Sequence, residues 1–137
     1  MAASIEGWRL IVDGRRPPES NMPRDLALFE EVGRGAMAGC LRIYNWLTPA
    51  ITIGCHQKGF APSDPGLDIP VFRRPTGGGA VLHVDDITYS IITPLKGLFA
   101  SGIAVTYATI AAVFAQALKD CGLAVRMGAS APGFSEV

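Results

Sequence analysis

Residues 73–83 read Arg-Arg-Pro-Thr-Gly-Gly-Gly-Ala-Val-Leu-His, and this run restricts the fold more than any other stretch of the chain. Glycine has no Cβ, so Gly77, Gly78 and Gly79 let the main chain take positive φ angles and come close to a ligand. They also break the extended structure before them, which resumes at Ala80. Arg73, Arg74 and the Thr76 hydroxyl flank the bend, so backbone N–H groups and positive charge can converge on one small anion, a phosphate or a carboxylate. The residues read equally as a glycine hairpin with two solvated arginines. Neither the Gly-Lys-Ser/Thr ending of a P-loop nor a G-x-G-x-x-G fingerprint is present to decide between the two.

The 137 residues suit one domain, residues 1–137, with its own core. Twelve basic and twelve acidic side chains cancel, and the basic residues form no long block, which argues against nucleic acid as a partner. Cys40, Cys55 and Cys121 have no metal-binding spacing with the two histidines and read as reduced thiols of a cytoplasmic protein. The first residues contain no signal-peptide core. Gly97–Leu118 carries no charge and is long enough to span a bilayer. Ser101, Thr106, Tyr107, Thr109 and Gln116 weigh against insertion, so a helix outside the membrane is expected.

Along the chain, Trp8–Val12 reads as a strand stopped by Asp13-Gly14 and Pro17-Pro18. Asn21 is placed to cap a helix with Pro23 in its first turn, Met22, Leu26, Phe29 and Val32 on its apolar face, and an end near Gly33–Gly35. Cys40–Trp46 and Ala50–Gly54 read as sequential strands of one sheet. Residues 55–70 have the composition of an exposed loop. Val71–Arg73 is extended, and Ala80–His83 pairs with Thr88–Thr93 through a turn at Asp85-Asp86. Val105–Cys121 carries apolar residues at helical spacing with Gly122 as its cap, and Leu123–Met127 reads as a last strand. The class is α+β, a mixed sheet flanked by helices.

Three further groups have two readings each. His83 either orients a ligand carbonyl or bonds within the sheet. Cys55 and His56 form a thiol–imidazole pair only if a turn brings them together, since neighbours in a strand face opposite ways. Asp85-Asp86 reads as a turn, and no metal site is expected.

The run Arg73–His83 resembles the signature of the lipoate-protein ligase A and octanoyltransferase family, Arg-Arg-x-Ser/Thr-Gly-Gly-Gly-Ala-Val-x-His. Asn21-Met22 with Asp25 and Ala27-Leu28 is similar to the family's first helix, Leu41–Trp46 and Ile51–Gly54 to its next strands, and Thr88-Tyr89-Ser90 to the strand after the signature. The resemblance implies a fold like the catalytic domain of class II aminoacyl-tRNA and biotin synthetases, incomplete at the C-terminus. It implies attachment of lipoate or octanoate to a lysine of carrier domains in 2-oxoacid dehydrogenase or glycine-cleavage complexes. In the ligases ATP with magnesium activates the acid as an acyl-adenylate. Carried over, Arg73, Arg74, Thr76, Gly77, Gly78, Gly79, Ala80, Val81, Leu82 and His83 form the acyl-adenylate site, Arg74 touching phosphate or carboxyl. Ile53 and Val81 contribute to an acyl tunnel.

The chain departs from the pattern in two places. Val84 stands where the family has aspartate, and none of Lys58, Lys96 and Lys119 lies in the family's downstream Gly-Arg-Lys stretch. The family's cysteine nucleophile follows a segment similar to residues 129–137. The expectation is therefore the N-terminal part of a longer catalytic domain, with no catalytic residue of its own and a complementary C-terminal half as partner. Thioester transfer of octanoyl from acyl carrier protein, and a non-catalytic acyl- or phosphate-binding module, are the alternatives.

Overall fold

The computed structural model describes residues 7–58, 68–126 and 128, and the chain divides into two compact units, residues 1–94 and 95–137. In the first unit the order is β1 (Trp8–Arg16), α1 (Pro18–Gly33), β2 (Gly39–Trp46), β3 (Ala50–Ile53), β4 (Val71–Arg73), β5 (Val81–His83) and β6 (Thr88–Ile92). The second unit holds a 3-10 turn, Gly97–Phe99, and α2 (Ile103–Asp120). The α+β class with mixed sheets is what the sequence led one to expect.

The strands form two three-stranded sheets rather than one. The first has the order β1-β2-β6, with β1 parallel and β6 antiparallel to β2. The second has the order β4-β3-β5, with β4 parallel and β5 antiparallel to β3. The expected hairpin between Ala80–His83 and Thr88–Thr93 therefore does not form. Its two strands exist but pair with β3 and β2, because buried β2 and β3 each supply a better apolar partner than a short exposed ribbon would.

Local chemistry explains the other departures. β1 runs through Asp13-Gly14 to Arg16 because a register shift between Val12 and Gly14 takes Asp13 as the extra residue, and Gly14 resumes the pairing at φ +65°. Helix α1 starts at Pro18, not after Asn21, since proline at the first helical position gives up an N–H that has no acceptor there. Pro23 consequently lies inside the helix. At its other end Gly35 N–H reaches Val32 O at 3.0 Å and Ala36 N–H reaches Glu31 O at 3.0 Å, with Gly35 at φ +76°. This is a left-handed glycine cap. Helix α2 ends the same way, with Gly122 at φ +84°. No strand forms over residues 123–126, and Met127 lies outside the described residues, as do residues 59–67 of the expected loop.

Helix α1 buries Met22, Asp25, Leu28 and Val32, whereas Leu26 and Phe29, expected inside, are exposed. Two apolar clusters lie beneath it. Met22 packs with Tyr44, Trp46, Ala50 and Phe72, so the helix spans residues of both sheets. Leu28 and Val32 pack with Met37, Cys40, Ile11 and Ile92. Helix α2 buries none of its residues, and among the described residues no helix is long and apolar enough to cross a membrane.

Between the clusters lies an ion network that fixes α1 on the first sheet. On β2 the buried side chains recur every second residue, Cys40, Arg42, Tyr44 and Trp46, so Arg42 sits on the core face and is fully buried. Its Nε donates to Asp13 Oδ2 at 2.7 Å, Nη1 to Asp25 Oδ1 at 2.7 Å, and Nη2 to Asn21 Oδ1 at 2.8 Å. The guanidinium also lies 3.8 Å from the Tyr44 ring centre. Burial pushes the Asp13 carboxyl up, but hydrogen bonds from Arg42 and Arg24 outweigh it and hold the group below its ordinary 3.8. Burial, then the charge of Asp25, drives the Tyr44 phenol well above its usual range.

Candidate functional site

Strand β3 is the centre of the second sheet, and its neighbours bring both ends of the glycine run beside it. All four β3 residues are buried. After Ile53 the chain turns at Gly54, where Gln57 N–H reaches Gly54 O at 3.1 Å and Cys55 N–H reaches Thr76 O at 2.9 Å. The turn after β3 and the bend after β4 are thus bonded side by side. A Cβ on Gly54 would collide with the Gly78 carbonyl and crowd Gly78 N at 3.0 Å, all main-chain atoms with no freedom to swing away. Gly54 is glycine because two backbones meet there.

Neighbouring residues of an extended chain face opposite ways, and the two arginines of the signature divide on that basis. Arg73 Nη1 donates to the carbonyls of Gly54 at 2.8 Å, Cys55 at 3.2 Å and Gln57 at 2.8 Å, closing the turn after β3. Arg74 Nη2 donates to Gly77 O at 2.8 Å and Gly79 O at 2.7 Å, and Nε to Gly77 O at 3.2 Å. Its Nη1 meets Thr52 O at 3.2 Å and Thr52 Oγ1 at 3.3 Å. Arg74 is a clamp across the triglycine bend. Gly78 takes φ +96°, and a Cβ there would stand 2.8 Å from Arg74 Nη2.

This clamp orients the peptide planes. In a trans peptide the N–H points opposite to the C=O before it. With the Gly77 and Gly79 carbonyls turned onto Arg74, the Gly78 and Ala80 amides are turned to its far side. Either N–H, on a bend held by a guanidinium, is a suitable donor to partial negative charge on an oxygen.

His83, at the end of β5, is buried, and its ring stacks on Trp46 with centroids 4.2 Å apart and planes at 19°. Its Nε2 lies 2.9 Å from Thr52 Oγ1 and its Nδ1 lies 2.9 Å from Asp86 Oδ2. Thr88 Oγ1 donates to the same Asp86 oxygen at 2.9 Å and accepts from Trp46 Nε1 at 2.8 Å. Burial pushes the Asp86 carboxyl up, but the His83 and Thr88 hydrogen bonds prevail and hold it below 3.8.

Of the site residues expected from sequence, Arg74, Gly77, Gly78, Gly79 and His83 converge through Thr52. Arg73 faces the turn at Gly54 instead. Thr76 and Ala80 are exposed, and Val81 and Leu82 are 44% and 57% exposed, beside the bend. Ile53 is buried. His56 is exposed and Cys55 half-buried, and among the described residues no group of three or more metal-binding side chains gathers. Thr52, Asp86, Thr88 and Trp46 are the members that sequence reasoning missed. Polar residues at 86 and 88, alternating after His83, were the available signal.

Known proteins resemble this chain in sequence and fold. Residues 17–133 match the lipoyl protein ligase A/B catalytic domain. The octanoyltransferase LipM of Exiguobacterium sibiricum is 42% identical over 94 residues, 66% of this chain and 34% of that protein. That of Moorella thermoacetica is 34% identical over 138 residues, covering 96% of this chain and 50% of its own length. A crystal structure of lipoate-protein ligase A bound with ATP superimposes with a TM-score of 0.59 at 25% identity, over 85% of this chain and 48% of that one. The chain spans a third to a half of the length of these relatives. With its signature folded into a clamped bend and most of its length matched, the chain belongs to the lipoyl protein ligase A/B catalytic-domain family.

Proposed function

We propose that this chain supplies the acyl-binding part of an octanoyltransferase, which passes an octanoyl group from a carrier thioester to a lysine of a lipoyl carrier domain. The observation that carries the reading is the Arg74 clamp. It ties the Gly77 and Gly79 carbonyls to one guanidinium and so points the Gly78 and Ala80 N–H groups away from it, where either can donate to the oxygen of an activated acyl carbonyl. The exposed side chain of Val81, on the same face of β5 as His83, adjoins the bend and offers apolar surface for the tail. Burial of the tail contributes about 0.8 kcal/mol per CH2. The relatives named octanoyltransferase favour transfer over ligation.

Catalysis is assigned to no residue of this chain. Cys40 is buried, and burial, then Asp25, raises its thiol pKa, which opposes a thiolate. A second reading, activation of free lipoate or octanoate by ATP with magnesium, draws on the likeness to the ATP-bound ligase. In it the same amides would meet the acyl-phosphate, with Arg74 holding the bend behind them. The reacting lysine belongs to carrier domains such as those of 2-oxoacid dehydrogenase or glycine-cleavage complexes in either case, and the setting is cytoplasmic.

Titration of the 15N-labelled chain with octanoyl-pantetheine and, separately, with a non-hydrolysable octanoyl-adenylate separates the readings. Transfer predicts amide shifts confined to residues 77–83 with octanoyl-pantetheine. Shifts with the adenylate alone would favour the ligase. Silence with both overturns the acyl-site reading.

A further inference from the structure

The bend does not hold itself. Arg74 Nη1 is oriented by Thr52 Oγ1, that oxygen by His83 Nε2, and His83 by Asp86 Oδ2. The direction of each hydrogen bond follows from the chemistry at its ends. Asp86 is an ionised acceptor near neutral pH, so the proton of a neutral His83 resides on Nδ1 and is donated to it. Nε2 is then an acceptor and takes the Thr52 hydroxyl proton. A hydroxyl that donates to Nε2 turns its lone pairs elsewhere, and one of them receives Arg74 Nη1.

We propose that His83 and Asp86 are positioning residues for the acyl cradle: Asp86 fixes the Nδ1–H tautomer of His83, which polarises Thr52 toward Arg74 and so sets the guanidinium that clamps Gly77 and Gly79. The proposal deepens the octanoyl reading and rests on it for its consequence in binding, though not for the relay itself. The relay is braced from outside the bend. Thr88 Oγ1 and the Asn45 side chain hold Asp86, the latter through its carbonyl at 2.9 Å, and Trp46 lies flat against the imidazole. With the opposite tautomer, Nε2–H would donate to Thr52 Oγ1. The hydroxyl would then accept from both Nε2–H and Arg74 Nη1 with its own proton turned off the imidazole, which makes it a poorer acceptor for Arg74, and the clamp would loosen.

The chain has two histidines, so long-range 1H–15N correlation resolves the tautomer of each in the whole protein. His83 is expected with its proton on Nδ1. In Asp86→Asn the proton is expected to move to Nε2, with shifts of the Gly77–Ala80 amides in the absence of any ligand. Thr52→Val should shift those amides as well, and Thr52→Ser should restore them. Octanoyl-pantetheine affinity should fall about tenfold in D86N and T52V and be retained in T52S, as the loss of a charge-linked hydrogen bond implies. A wild-type His83 protonated on Nε2 overturns the relay even if every variant fails to fold, and so do unshifted Gly77–Ala80 amides in folded D86N and T52V. Failure of the wild type to bind octanoyl-pantetheine, with the tautomer and amide shifts as expected, would instead sink the acyl-site reading and leave the relay standing.

Discussion

Trp46 and His83 stack at 4.2 Å between centroids, and through them the two sheets are joined, because Trp46 ends β2 and His83 ends β5. Trp46 is also 2% exposed and donates its indole N–H to Thr88. Trp46→Ala should therefore cost about 3–5 kcal/mol in urea unfolding, as large aromatic deletions in cores do. Trp46→Phe keeps the stack and loses the Thr88 bond, so a smaller cost of about 1–2 kcal/mol is expected. Equal losses for the two would show that the stack contributes nothing.

Arg42 tests the other buried polar cluster. Removing it by Arg42→Ala leaves Asp13 and Asp25 charged beneath α1 and should cost about 3–5 kcal/mol. Arg42→Met with Asp25→Leu removes both charges of one pair and fills the space, and it should recover part of that loss. Chemical denaturation of the three chains measures it.

The pH dependence has a definite sign. Asp13 and Asp86 both titrate below the ordinary 3.8 when folded, so the folded state binds fewer protons than the unfolded chain in that region. Their contribution is complete above the unfolded value and is lost as pH falls through 3.8 and then the folded values. Unfolding free energy measured from pH 7 down to 2 should drop on the acid side, and Asp13→Asn should flatten that drop. An unchanged slope would contradict the assignment.

Much of the site was legible in the sequence. The triglycine bend, its flanking strands and the end of α1 near Gly33 follow from glycine and apolar spacing, local properties, whereas the start of α1 at Pro18 rather than after Asn21 did not. Sheet partition was not legible, because β5 and β6 are close in sequence but take their partners from β3 and β2. The roles of the two arginines were also hidden. Arg73 and Arg74 read as anion ligands until the carbonyls of Gly54, Gln57, Gly77 and Gly79 stand before them. Arg42 could have been found: it falls in phase with Cys40, Tyr44 and Trp46, and a charge on a core face implies acidic partners such as Asp13 and Asp25.

Chain length reports on the apolar bed. If Val81 covers the tail, affinity for acyl-pantetheines should rise from butanoyl to octanoyl by up to about fourfold per CH2. Val81→Ser should flatten the series, and Leu82→Ser, on the opposite face of β5, should leave it unchanged. A flat series in the wild type would remove the apolar bed from the account.

Acyl binding depends above all on Arg74 holding the glycine run in the shape that receives the acyl carbonyl. Calorimetric titration of octanoyl-pantetheine into the wild type, Arg74→Met and Arg74→Lys tests this most directly, with circular dichroism confirming that each chain is folded. Methionine should weaken binding by at least about tenfold, since two charge-assisted bonds to Gly77 and Gly79 are lost, and lysine should recover only part of it. Wild-type affinity in a folded Arg74→Met chain would contradict the account.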